Sequence, residues 1–193
     1  ITAVFDMNYD RACEIAKTYG AVAYKTLEEL LASNVDAVSV CTANANHAAS
    51  TSAALKAGKH VLCEKPMAIN SDECEQMVAE ARAAGKKLMI DQNQRFARAH
   101  VRAKELLDAG KIGDVLTFRT TFGHGGPETW SIDPGTGSWF FDPKRAAMGA
   151  MADLGVHKTD LIQWLLGQTV VSTTARVTTL DKRDPQGNLV GVD

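Results

Sequence analysis

The sequence predicts an α/β protein in which a doubly wound parallel sheet is followed by an α+β domain with an open, largely antiparallel sheet. Three observations predict it. Short apolar runs and helical stretches alternate over roughly the first 110 residues, the grammar of parallel strands joined by crossover helices. Gly20, Gly58, Gly85 and Gly110 each follow a helical stretch, where a left-handed residue closes a helix. Past Ile112-Gly-Asp114 the pattern changes to longer, alternating, Thr- and Phe-rich runs, as in an antiparallel sheet covered on one face. The expected domains are therefore residues 1–113 and 114–193.

The elements follow in order. Residues 1–5 are β-rich and run into Asp6. Asn8 caps a helix over Tyr9–Tyr19, with Ala12, Ile15, Ala16 and Tyr19 on one face. A short strand at 21–24 precedes Thr26-x-x-Glu29, a capping box that opens a helix over Leu27–Ala32. Residues 35–41 are mostly apolar, with Val35, Ala37, Val38, Val40 and Cys41, and read as a buried parallel strand. A helix from His47 to about residue 57 leads to the strand His60–Cys63. Ser71 starts a helix to Ala84, Leu88–Ile90 is a strand, and residues 97–109 are helical. Beyond the boundary, 115–122 and 170–180 read as strands and 147–166 as one amphipathic helix. The intervening 123–137 holds five glycines and two prolines and reads as a loop, a lid by position.

Composition narrows the function. Among 193 residues, 45% are hydrophobic, 23% are charged and the net charge is −2. That is an ordinary globular balance, with no electrostatic case for nucleic acid or an acidic membrane. No apolar run is long enough to span a bilayer. Cys13, Cys41, Cys63 and Cys74 form no CxxC pair, which fits reduced thiols and a cytoplasmic protein. The sequence opens without methionine in mid-strand and stops at Gly191-Val-Asp193, so a piece of a longer chain is expected.

Three groups of residues carry chemistry. Asp6 follows the first strand directly. An acid there accepts both ribose hydroxyls of a dinucleotide and repels a 2′-phosphate, favouring NAD over NADP. The partner glycine loop belongs about 20 residues earlier, ahead of Ile1, and with it the central strand of the sheet. Second, Lys65 stands past the strand His60–Cys63 in Glu64-Lys65-Pro66. Proline ends the strand, and the carboxyl edge of an open α/β sheet is where ligands bind. A lysine there can hydrogen-bond a substrate hydroxyl and stabilise a developing alkoxide. Thr42, Asn44 and His47 follow another strand and face the same edge, where helix capping and cofactor contact are compatible. Third, Asp153, His157 and Asp160 recur at i, i+4, i+7, one face of a helix. A histidine near neutral pKa suits removal of a hydroxyl proton. A metal site is the rival reading of these three, but no second His/Cys cluster is close in sequence and nicotinamide chemistry needs no metal.

Several stretches together resemble the Gfo/Idh/MocA oxidoreductases. Cys41-Thr-Ala-Asn44-Ala-Asn-His47 is similar to the family's C-T-P-N-x-x-H turn, with Ala43 in place of proline. Ala57-Gly-Lys-His-Val-Leu-Cys-Glu-Lys-Pro66 resembles its most specific signature. Asn93-Gln-Arg-Phe96 and Leu107-Asp-Ala-Gly-Lys-Ile-Gly113 match the stretch entering the second domain. Gly149-Ala-Met-Ala-Asp153-Leu-Gly-Val-His157-Lys-Thr-Asp160 matches its G-x-x-x-D-x-G-x-H-x-x-D helix, with Ala147-Met148 where glycines are common.

The resemblance implies a Rossmann-type NAD-binding domain, then a domain whose open sheet mediates homodimer or homotetramer contacts. It implies NAD(P)-dependent oxidation of a secondary alcohol on a sugar, amino sugar or inositol. Lys65 then takes the catalytic-lysine role, His157 that of acid/base, and Asp153 that of partner to substrate hydroxyls. Asp6, Thr42, Asn44, His47 and Glu64 contact the cofactor, Trp139 borders the nicotinamide, and Asn93 lines the pocket. Relatives that cleave glycosides with transiently reduced NAD, and a non-catalytic NAD-binding sensor, are the alternatives.

Overall fold

A computed structural model describes residues 1–189. The chain divides into two compact units that interleave in sequence. The first is Ile1–Cys41, Ala48–Cys63 and Ser71–Met89; the second is Thr42–His47, Glu64–Asn70 and the chain from Ile90 onward.

The first unit is built of βα repeats. Strand β1 (Ala3–Phe5) leads to helix α1 (Tyr9–Tyr19), β2 (Val22–Tyr24) to α2 (Leu27–Ala32), and β3 (Ala37–Val40) to α3 (His47–Lys56). Then come β4 (His60–Cys63), α4 (Ser71–Ala84) and β5 (Leu88–Ile90). Local chemistry sets the ends. The Arg11 N–H donates to Asn8 Oδ1 at 3.2 Å, and Gly20 closes α1 at φ 66°. Half of the capping box forms as expected: the Glu29 N–H donates to Thr26 Oγ1 at 3.1 Å, while Glu29 Oε2 accepts the N–H of Lys25, one residue before the cap, at 3.0 Å.

The sheet departs from a single doubly wound one. Among the described residues β1 pairs in parallel with β2, and separately the order is β3-β4-β5, with β3 and β4 parallel. The division lies between the β1-β2 pair and the β3-β4-β5 group. It leaves β3 as an edge, so Val40 is buried while Ala37 and Ser39 are exposed. The expected continuous burial of that strand is corrected accordingly. On α1, Ala12 and Ala16 are buried but Ile15 and Tyr19 are exposed, so the apolar face is narrower than its spacing suggests. Leu30, Leu55, Val61, Cys63 and Met77 form the rest of the core.

In the second unit, helix α5 (Arg98–Asp108) packs on α7 (Val156–Leu166), and α6 (Pro143–Ala146) is a single short turn. Two expectations are corrected here. Residues 115–122 and 170–180 form no strand, so among the described residues the largely antiparallel sheet is not seen, and the antiparallel pairing present there is one bridge, Arg183 to Leu189. β-propensity needs a partner ladder to become a strand, and Leu116, Val171 and Leu180 stand exposed instead. The helix expected over 147–166 is broken at its start. Ala147 takes φ 62° and Gly149 φ 51°, and Met151–Gly155 is a π turn that feeds α7. Left-handed residues cannot continue a right-handed helix.

Candidate active site

The site lies in the second unit and is assembled from loops. Strand β4 delivers Glu64, Lys65 and Pro66, the Lys65–Pro66 bond being cis. His47, 1% exposed, lies between two backbone carbonyls: Nδ1 is 2.6 Å from Pro66 O and Nε2 is 3.0 Å from Thr42 O. One imidazole thus clamps the loop after β3 to the loop after β4. Asn44, also buried, donates through Nδ2 to Ala146 O at 2.7 Å, tying the same loop to the end of α6. These two of the side chains that the sequence offers for cofactor contact are engaged with backbone, so they shape the loop. Thr42 Oγ1 donates to Ala43 O at 3.3 Å, and Glu64 Oε2 accepts the Lys65 N–H at 3.2 Å.

The Lys65 ammonium donates to the Asp153 carbonyl at 2.8 Å and to Asp153 Oδ1 at 3.0 Å. The side chains are 16% and 15% exposed, so this is a largely desolvated, charge-assisted pair. The π turn lets one residue present carbonyl and carboxylate to the same cation. A Cβ at Gly155 would come 2.7 Å from Met151 Sδ, so a larger residue there would displace the Met151 side chain.

His157 is buried, and among the described residues its Nδ1 has no hydrogen-bond partner. Burial pushes its pKa below the usual imidazole value. The Lys65 charge lowers it further, and Asp153 partly offsets both. Phe122 packs edge-on against the His157 ring at 5.8 Å. Asp160 turns elsewhere: it accepts Arg95 Nε at 2.8 Å and a second, shorter bond from Nη2. With Lys158 Nζ donating to Gln94 Oε1 at 2.7 Å, it fixes the Asn93–Phe96 turn to α7. Asn93 itself is exposed. The three groups of the Asp-x₃-His-x₂-Asp pattern thus have three different surroundings, and among the described residues no three His, Cys, Asp or Glu side chains gather as metal ligands.

Two neighbours were not legible as site residues. His124 Nε2 is 3.1 Å from Asp153 Oδ2, and Trp130 stands edge-on to His124 at 5.4 Å. The available signal was a lone titratable residue inside Gly123-His-Gly-Gly126. Trp139 stacks on Phe140, with centroids 3.9 Å apart. Asp6 belongs to the first unit, half-buried just past β1, and its Oδ1 accepts the Asn8 N–H at 2.7 Å.

Parallel βα repeats carrying an acid past one strand and a lysine past another, with a Lys–Asp pair and a buried histidine, are the arrangement expected of a nucleotide-dependent oxidoreductase. Comparison with known proteins agrees. Residues 1–92 match the model of the oxidoreductase family with NAD-binding Rossmann fold, and residues 100–193 match the GFO/IDH/MocA C-terminal domain. The chain belongs to the Gfo/Idh/MocA family of oxidoreductases.

It is 34% identical over 171 residues to an inositol 2-dehydrogenase/D-chiro-inositol 3-dehydrogenase of Shouchella clausii, covering 86% of this chain and 45% of that one. An oxidoreductase domain protein from Kribbella flavida superposes with a TM-score of 0.83 at 32% identity, over 100% of this chain and 52% of that one. A levoglucosan dehydrogenase in complex with NADH and levoglucosan superposes with a TM-score of 0.82 at 27% identity, over 100% and 52%. The chain spans about half the length of the proteins it matches. Among the described residues no helix is long and apolar enough to cross a membrane.

Proposed function

We propose that the full-length protein is an NAD-dependent dehydrogenase of a secondary alcohol on a sugar, amino sugar or inositol. The observation that carries the reading is the pairing of Lys65 with Asp153 beside a buried His157 whose Nδ1 has no hydrogen-bond partner among the described residues. The relatives' names, inositol dehydrogenase and levoglucosan dehydrogenase, support the polyol class.

The residues present fit a dinucleotide at the position expected for its ribose. Asp6 offers a carboxylate past a parallel strand, with one oxygen committed to the Asn8 N–H, and it is the acceptor that favours NAD over NADP. Thr42, Glu64 and Trp139 would contact the cofactor by side chain. Asn44 and His47 would do so through the loop they hold. NAD, when bound, supplies the acceptor for the hydride that leaves the carbinol carbon.

The remaining steps belong to the chain's own residues. Lys65 hydrogen-bonds the substrate oxygen and stabilises negative charge on it as the C–H bond breaks. Asp153 holds Lys65 and accepts from an adjacent hydroxyl. His157 takes the hydroxyl proton on its imidazole, leaving a ketone and an imidazolium. Asn93 would line the outer pocket. A homodimer or homotetramer of the full-length protein is part of the proposal, as is a cytoplasmic setting.

The test is a panel of inositols, hexoses, amino sugars and anhydrosugars offered with NAD and with NADP to the full-length protein, followed at the NADH absorbance band. NADH formation from at least one polyol, faster with NAD than with NADP, is expected. No reduction with any polyol, or glycoside cleavage without accumulation of NADH, overturns the reading.

A further inference from the structure

We propose that His124 is a positioning residue of this site, a neutral Nε2–H donor that fixes the Asp153 carboxylate so that Oδ1 faces Lys65. Its consequence for catalysis rests on the dehydrogenase reading; its geometry does not.

The hydrogen-bond directions assign the ring. The Gly126 N–H donates to His124 Nδ1 at 3.1 Å, so Nδ1 supplies a lone pair and the ring hydrogen sits on Nε2. Nε2–H then donates to Asp153 Oδ2 at 3.1 Å, while Oδ1 accepts Lys65 Nζ at 3.0 Å. The carboxylate is held from both sides and its rotation is stopped.

The ring is itself fixed. Trp130 packs edge-on at 89°. The loop backbone is anchored by Lys182, whose Nζ donates to Gly125 O at 3.0 Å and to Glu128 Oε1. Gly126 takes φ 121°, a backbone that strains any residue with a side chain, and a Cβ there would also displace the Glu128 carboxylate. The glycine-rich loop thereby aims one imidazole at Asp153.

A group holding another group's rotamer acts through geometry, where a displacement of about 1 Å can cost on the order of 100-fold in rate. His124→Ala should lower kcat about 10- to 100-fold with the KM for NAD unchanged. His124→Gln, whose amide N–H reaches the place of ring Nε2, should restore most of the loss.

The direct readout is ¹⁵N NMR of histidine-labelled full-length protein, with the His124 signals assigned by their loss in H124Q. A protonated Nε2 and an unprotonated Nδ1 are expected. The opposite tautomer, or Ala and Gln variants with equal kcat, overturns the proposal. If the wild type reduces NAD with no polyol, the dehydrogenase reading fails, and the spectrum still decides the positioning claim.

Discussion

Replacing Lys65 with methionine keeps most of the stem and removes the ammonium. Two hydrogen bonds disappear, at 2.8 Å to the Asp153 carbonyl and 3.0 Å to Oδ1. Hydrogen bonds to charged groups contribute about 1.5–3 kcal/mol each. Asp153 keeps its contact to His124 Nε2, so the carboxylate is not stranded, and the expected loss of folding stability is about 1–3 kcal/mol. The catalytic loss is separate. Removing a group that stabilises the alkoxide and shares its proton costs about 10²–10⁴ in turnover, or about 2.7–5.4 kcal/mol of transition-state free energy. The assay is NADH formation from a polyol that the full-length wild type oxidises, with NAD binding and unfolding followed in parallel. A K65M variant that folds, binds NAD and turns over undiminished removes Lys65 from the mechanism. A variant that only loses NAD affinity makes Lys65 a cofactor-binding group instead.

His157 has its pKa held below the ordinary imidazole value, first by burial and then by Lys65. Between the native and unfolded values the unfolded chain binds the extra proton, so this group's contribution to stability is complete above about pH 6.5 and is lost as pH falls. The acid limb of kcat/KM accordingly lies below that value. It should move to higher pH in K65M and to lower pH in Asp153→Asn, and shifts of the same sign would refute the electrostatics. Ala147 stands at φ 62°, ψ −103°, a region that costs a non-glycine residue about 1–3 kcal/mol. Ala147→Gly should raise the unfolding free energy by about 1 kcal/mol, net of glycine's added chain entropy; a lower value in a denaturant titration would contradict the strain. Asp6→Ser should narrow the preference for NAD over NADP measured by kcat/KM, by removing the carboxylate that repels a 2′-phosphate; an unchanged ratio would detach Asp6 from the ribose.

What the sequence made legible was local. The ends of α1 and α2 follow from Asn8, Gly20, Thr26 and Glu29. The placement of Lys65 past β4 follows from an apolar run ended by Pro66. Each involves residues within a turn or two of one another. What stayed hidden was non-local. Lys65 meets Asp153 across 88 residues of chain, and motif resemblance, not spacing, joined them.

His124 lay in a stretch readable only as a glycine-rich loop, because nothing local says at what a loop side chain is aimed. The segments 115–122 and 170–180 have the composition of strands, but a strand is a pairing and a composition is not. The break before α7 was missed because alanine at Ala147 gives no hint of a positive-φ backbone; Gly149, also at positive φ, was the one local signal of it.

The central claim is that this site removes a hydride from a carbinol carbon while His157 takes the hydroxyl proton. Carbon-deuterated myo-inositol and carbon-deuterated levoglucosan, incubated with NAD and the full-length protein, test it most directly. With whichever polyol reacts, mass spectrometry of the reduced cofactor should show one added mass unit, the deuterium carried over from carbon. Reduced cofactor without the label, or no reduced cofactor from either polyol or from the wider panel, would contradict the claim.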